Sequence, residues 1–365
     1  GKTMRKLIFI LLASCVFVTH AQALDYKVET LTSDLNQPWS IAFLPNGDYL
    51  IALKVGKLIR VSADGTVGEA LAGAPNTYYF KQGGYFDVVL DPNFEQNNTL
   101  YLSFAHGNSS AHSTRVIKAQ LGAEGLTDVT PIFTGKVTFD TGKHYGGRLA
   151  FLPDDTLILS TGDGGDYRNA AQDKNSHLGK ILRFTKDGEV PADNPFSNQS
   201  GGDGYVWSYG HRNPQGLAVD YATDVVYQHE HGPKGGDEVN VISAGSNYGW
   251  PAASYGVNYS GTRVSPYKTL PGMVDGIKVW VPGISPSGLA IYRGDLFPEW
   301  NGNLFVGGLM GLNVRRLVMQ EEAVSEEHSM FPEIKARIRD VRVGPTGAIY
   351  ILTDGPSGTL YKITR

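Results

Sequence analysis

Cysteine is nearly missing from this chain: one occurs in 365 residues, Cys15, inside an N-terminal apolar run. The remainder therefore has no disulfide to form and no thiolate for metal or nucleophilic chemistry. Long hydrophobic stretches are missing too, for beyond that first run nothing approaches the roughly 20 apolar residues of a membrane span. Positive charge is not in surplus either. A formal net charge of -4 gives no electrostatic case for nucleic acid or an acidic membrane surface. Neither a helix of convincing length nor a low-complexity linker is legible. What these absences leave is a chain whose default partner is a small molecule.

The N-terminal run has the layout of a secretory leader. Met4-Arg5-Lys6 is a basic start, Leu7 to Val18 an apolar core, and Ala21-Gln22-Ala23 an A-x-A cleavage site, so residues 1–23 read as a signal peptide. Gly1-Lys2-Thr3 ahead of the methionine read as a cloning remnant or upstream read-through. Leu12-Ala13-Ser14-Cys15 is also compatible with a lipoprotein-type box, giving a lipidated form at Cys15. Either way the expected location is periplasmic or secreted.

Residues 24–365 are long enough for two domains, but closed all-β folds often use such a length as one. With Gly 45 and Tyr 19 the composition suits strands and turns. One pattern recurs: an apolar strand, a turn with Pro, Asp, Asn or Gly, a second apolar strand, and a polar link into a third. Six such units are seen, at 41–61, 88–121, 149–184, 217–242, 289–317 and 341–363. A lone sheet of this kind cannot bury both faces, whereas sheets around a common axis can. The expectation is an all-β, six-bladed β-propeller with four-stranded antiparallel blades, in one domain, with Tyr26 to Leu31 adding an outer strand to the last blade. A two-sheet sandwich or a two-domain β protein is the alternative. Glu321 to Glu327 reads as a solvated loop or short helix.

Propellers bind ligands at one end of the axis, on loops at similar positions in each unit. Five unusual clusters are so distributed. In Lys81-Gln82-Gly83-Gly84, Gln82 either aims its amide at a ligand or is a polar loop residue. Lys143-His144-Tyr145-Gly146-Gly147-Arg148 sets an imidazole before a strand, and Thr161-Gly162-Asp163 a carboxylate after it, the parts of a general base near neutral pH. Gly210-His211-Arg212-Asn213 offers a planar cationic fork and an amide, for an anionic ligand or for a neighbouring blade. His229-Glu230-His231-Gly232-Pro233, followed by Asp237-Glu238 and Asn247-Tyr248, lacks the helical spacing of a zinc site. Its carboxylates and loop carbonyls suit calcium better. In Arg337-Ile338-Arg339 two guanidiniums share one face of a strand, which calls for an anion between them or for flanking acids such as Asp340 or Glu333.

These clusters, in this order, resemble the soluble pyrroloquinoline-quinone (PQQ) dependent sugar dehydrogenases, and in particular the aldose sugar dehydrogenase branch. The resemblance runs from Leu35-Asn36-Gln37-Pro38-Trp39 to Leu360-Tyr361. It implies a periplasmic propeller that holds PQQ and Ca2+ and oxidises aldoses at C1 to the lactone. It further implies His144 as the base, Asp163 as its orienter, and Gln82, Arg212, Asn213, Tyr259, Arg337 and Arg339 as cofactor contacts. Gly232 and Pro233 would give carbonyls to a calcium bridging to PQQ. Glu238 and Tyr248, the latter through its main chain, would bind a further structural calcium. Lys143, Met310 and Val281-Pro282-Gly283 depart from the glucose dehydrogenase branch and fit the aldose branch.

Nothing legible builds a narrow sugar slot, so mono- and disaccharides are both expected substrates, with an electron acceptor that the sequence does not identify. Two rivals stand beside this reading. A calcium-dependent lactone hydrolase would share the calcium and the His base without needing three arginines for a tricarboxylate. A non-catalytic carbohydrate-binding propeller would leave His144 and Asp163 without a task.

Overall fold

The computed structural model describes residues 25–136, 139–198 and 200–365. The leader read at residues 1–23, with Cys15, lies outside the described residues. Six four-stranded antiparallel sheets make up the rest. Five are sequential meanders whose inner strands are Pro38–Phe43, Tyr85–Leu90, Gly146–Phe151, Pro214–Asp220 and Pro286–Ile291, here blades 1 to 5. Blade 6 runs from its inner strand Ile338–Val343 through Ile349–Thr353 to Gly358–Thr364, and its outer strand is Lys27–Leu35 from the start of the chain. The inner strands touch one another in a closed ring, 1 to 6 and back to 1. The architecture is a six-bladed β-propeller, closed where the sequence places the closure.

Two apolar faces per sheet account for the packing. The second strands of blades 1, 3, 5 and 6, Tyr49–Leu53, Leu157–Thr161, Leu304–Gly308 and Ile349–Thr353, are buried along their whole length. Core clusters form between blades, as where Ile41, Ile51 and Ile59 of blade 1 meet Tyr350, Leu352 and Leu360 of blade 6. Each fully buried Leu or Ile contributes about 1.5–3 kcal/mol.

The outermost strands differ. Val67–Ala70 is exposed at every residue, and Ala323–Met330 is a mixture of exposed and half-buried residues. The acidic run at 321–327, expected as a loop or short helix, thus enters this outer strand of blade 5. Glu327 there accepts from Trp280 Nε1 at 2.8 Å and pairs with Lys278 and Arg315. A charged edge strand of this sort resists pairing with other chains.

Candidate active site

All six inner strands begin in the same way. Between the first pairing and the next, the register with the second strand slips, at Pro38/Ser40, Tyr85/Val88, Gly146/Leu149, Pro214/Gly216, Pro286/Leu289 and Ile338/Asp340. Such bulges re-aim side chains and end regular pairing. Two rows of residues consequently face one end of the axis. Gln82, His144, Arg212, Asn213 and Arg337 come just before inner strands; Lys54, Asp163, His231, Leu309 and Asp354 come just after second strands.

His144 is held in the left-handed region, φ 55, where few non-glycine residues sit. Its amide donates to Gln82 Oε1 at 2.9 Å, and its Nδ1 lies 2.6 Å from Asp163 Oδ1. Asp163 is fully buried, and its other oxygen accepts from Trp250 Nε1 at 2.8 Å. A carboxylate only accepts, so Nδ1 carries the proton and Nε2 keeps its lone pair. Burial pushes the imidazole below its usual range and Arg212 and Lys143 add to this, against the opposing pull of Asp163. The ring is therefore neutral and basic at Nε2 near pH 7.

Beside the dyad, at the axis, lies a cavity of about 320 Å³. Gln82, Asn213, Arg337 and Arg339 line it, as do His231 of the His-Glu-His cluster and Trp39, Lys54, Gln215 and Asp354, to which the sequence assigned no role. His144 stands just outside this lining, next to Tyr145 and Gly146, which are part of it. Arg337 and Arg339 do converge on an anion, but the anion is Asp354, not Asp340 or Glu333. Arg337 Nε reaches Asp354 Oδ2 at 3.1 Å, and Arg339 donates to Oδ1 from Nε at 3.1 Å and from Nη2 at 3.0 Å. Burial raises the Asp354 carboxyl, yet the two guanidiniums outweigh it and hold the group below the usual range. Lys54 is pushed down by burial first and then by Arg339. Even with Asp354 in place the cavity is over-supplied with cations.

Asp340 has another task. It pairs with Arg148 at 3.2 Å and Arg342 at 3.1 Å, while Arg342 also meets Asp87 at 2.7 Å. Arg148 is 2 % exposed, its guanidinium carbon 4.0 Å from the centre of the Trp39 ring, and it donates to the carbonyls of Gln215 and Arg339, each at 2.8 Å. This charged column links the inner strands beneath the cavity.

The His-Glu-His string proves to be three pins. His229 Nε2 donates to Gly288 O at 2.8 Å and His231 Nε2 to Pro286 O at 2.6 Å, both on the inner strand of blade 5. Glu230 accepts from His211 Nδ1 at 3.1 Å and from the Arg212 amide at 2.6 Å. Arg212 Nη1 in turn donates to His231 O at 3.2 Å and Gly232 O at 2.9 Å, so successive loop carbonyls converge on one cation. The guanidinium carbon lies 5.4 Å from the Trp250 ring centre. Tyr259, 79 % exposed, reaches the same guanidinium from a hairpin tip. Pro233 is buried in the loop between Gly232 and Lys234.

Asp237 is committed to the backbone, accepting from the amides of Gly232, Ile284 and Ser285. Glu238 is not so served. Burial, with Glu230, Asp275 and Asp237 nearby, pushes its carboxyl well above the usual range, and its hydrogen-bond donor is Asn240 at 3.4 Å. The Tyr248 hydroxyl is taken up by Val241 O at 2.7 Å and the Ser243 amide at 2.8 Å, which leaves only its main chain for a ligand role. Among the described residues no three His, Cys, Asp or Glu side chains gather as a metal cage. The donor sets expected here are largely carbonyls.

The sequence pattern of the family described as Glucose / Sorbosone dehydrogenase matches residues 35–362. The aldose sugar dehydrogenase YliI of Escherichia coli K12 is 38 % identical, over 93 % of this chain and 92 % of its own. The crystal structure of the soluble aldose sugar dehydrogenase from Escherichia coli in the apo-form is similar, with a TM-score of 0.90 at 38 % identity, covering 93 % of this chain and 99 % of that one. The PQQ-bound form of an aldose sugar dehydrogenase from Streptomyces coelicolor gives 0.77 at 28 % identity, over 93 % and 98 %. By pattern, by sequence and by fold, the chain belongs to the glucose/sorbosone dehydrogenase family.

Proposed function

We propose that this chain is an extracytoplasmic quinoprotein dehydrogenase that oxidises aldose sugars at C1 to the lactone, with PQQ in the axial cavity and calcium beside it. The observation that carries the reading is the neutral His144, held 2.6 Å from Asp163, at the edge of a cavity lined by Lys54, Arg337 and Arg339. An aldose sugar dehydrogenase relative and a PQQ-bound structural neighbour support it, and the leader read at residues 4–23 supports the location. The electron acceptor of the second half-reaction is a separate partner.

The lining fits the cofactor. PQQ is a flat tricarboxylate, and guanidinium forks match carboxylates. Arg337, Arg339 and Lys54 would hold its anionic groups and Gln82 and Asn213, with Arg212 nearby, its polar atoms, in a cavity that Trp39, Phe86 and Tyr145 also line. Bound there, the quinone supplies an acceptor for the electron pair of the sugar C1–H bond. The chain does the rest. His144 Nε2 takes the C1 hydroxyl proton, Asp163 fixes the tautomer and stabilises the imidazolium, and Trp250 holds Asp163 in place.

Two features fit calcium. The carbonyls of His231 and Gly232 already converge on a cation, Arg212, and each carbonyl oxygen has a second lone pair. Glu238 is a buried carboxyl among acids with no cation paired to it among the described residues. Gly232 and Pro233 would serve the first ion, Glu238 and the Tyr248 main chain the second.

Aldose-dependent reduction of an artificial electron acceptor, by protein in calcium with and without PQQ, tests this reading. Turnover that needs PQQ is the expected result. Absence of both turnover and PQQ binding, with lactone hydrolysis in calcium, would move the assignment to the hydrolase.

A further inference from the structure

Two cations at the mouth remain outside the set that would hold the cofactor. Lys81 precedes Gln82 and Lys143 precedes His144; both are exposed, and neither forms an ion pair among the described residues. Elsewhere lysines near carboxylates are paired, as Lys118 with Asp187 or Lys278 with Glu327.

The stems of the two lysines are laid down on backbone. A Cβ on Gly142 would come 2.8 Å from Lys81 Cβ, and one on Gly165 would come 3.1 Å from Lys143 Cβ and 3.4 Å from its Cδ. The two loops are joined by Gln82 N to Gly142 O at 2.9 Å, by the His144 amide to Gln82 Oε1 at 2.9 Å, and by Lys54 Nζ to Lys81 O at 3.0 Å. Lys81 Nζ lies 5.2 Å from the Phe80 ring centre. The loops that flank the base thus carry two exposed lysines, on hydrogen-bonded neighbouring segments, with no ion-pair partner among the described residues. The exposed acids on the nearby loops are Asp140, which accepts from Tyr167, and Asp166.

Two unpaired ammonium groups on adjoining loops favour an anion within their joint reach. We propose that Lys81 and Lys143 form a subsite for the far end of the sugar, and that aldoses bearing an anionic group, hexuronates being the simplest, are preferred substrates. The inference rests on the sugar dehydrogenase reading above. The reaction is unchanged: the quinone would take the C1 hydrogen with its bonding electron pair, His144 takes the C1 hydroxyl proton, and the carboxylate at the other end of the ring is a spectator that positions it.

The test compares kcat/KM for glucuronate and for glucose in the PQQ-loaded protein, at low and high salt, with the Lys81→Gln/Lys143→Gln double variant alongside. The glucuronate-to-glucose ratio is expected to exceed one, to shrink at high salt, and to fall about fivefold or more in the variant. A second readout needs no turnover: methyl glucuronide, blocked at C1, should inhibit more tightly than methyl glucoside, and the variant should lose that advantage. A ratio that is the same in both proteins, or glucosides and glucuronides that inhibit alike, would overturn the subsite while leaving the dehydrogenase standing. Failure to oxidise any aldose, charged or neutral, would strike the dehydrogenase reading itself.

Discussion

At the scale of single residues the site is a balance of charges, and each side can be removed. His144→Ala should lower kcat by about 10²–10⁴-fold, with folding and PQQ binding retained. Residual turnover close to wild type in a stopped-flow assay would remove His144 as the base. Because burial, Arg212 and Lys143 depress the imidazole against the pull of Asp163, the base stays unprotonated to lower pH than a free one. The acid limb of the kcat/KM profile should therefore lie below about 6.5, and Lys143→Gln should move it upward. Arg339→Gln takes one guanidinium from Asp354 and from the cavity, so PQQ should dissociate at least about tenfold more readily by equilibrium dialysis. Glu238→Gln should act in opposite directions according to calcium. In chelator it relieves repulsion from Glu230 and Asp275 and should raise the melting temperature. In calcium it removes a ligand and should lower the melting temperature relative to wild type.

Elements carry the geometry that makes those residues meet. The bulge at the head of every inner strand needs backbone freedom and close approach, clearest at Gly288. It has φ 78, and a Cβ there would sit 2.6 Å from the Val341 amide nitrogen in the neighbouring inner strand. Gly288→Ala should cost about 3 kcal/mol or more in urea denaturation, since backbone and not a flexible side chain must yield. Strands with two buried faces were readable in the sequence as apolar runs such as Leu157–Thr161 and Ile349–Thr353. Apart from the closing strand Lys27–Leu35, outer strands were not, because segments such as Val67–Ala70 and Ala323–Met330 are solvated and carry no apolar period. The same reason split the site. His144 and Gln82 lie in glycine-rich clusters that stand out, whereas Lys54 and Asp354 are single polar residues ending ordinary apolar strands. Their one signal is positional: each directly follows the second strand of its repeat.

For the molecule as a whole, closure is the unifying constraint. The ring is completed by strands from its two ends, with Lys27 opposite Thr364 and Leu35 opposite Gly358. Calcium bound at Gly232 and Glu238 would tie blade 4 further, so a chelator should lower the thermal midpoint. At free calcium about a hundredfold above its Kd the loss is about 2.7 kcal/mol per site. An unchanged midpoint in differential scanning calorimetry would count against resident calcium. Leu35 and Gly358 lie at the end of the axis where the inner strands begin and the cavity opens, so Lys27 and Thr364 lie at the other. An enzyme tethered to an electrode or a bead through either end of this β-propeller would consequently present its mouth outward, with sugar and electron acceptor arriving unobstructed from the bulk.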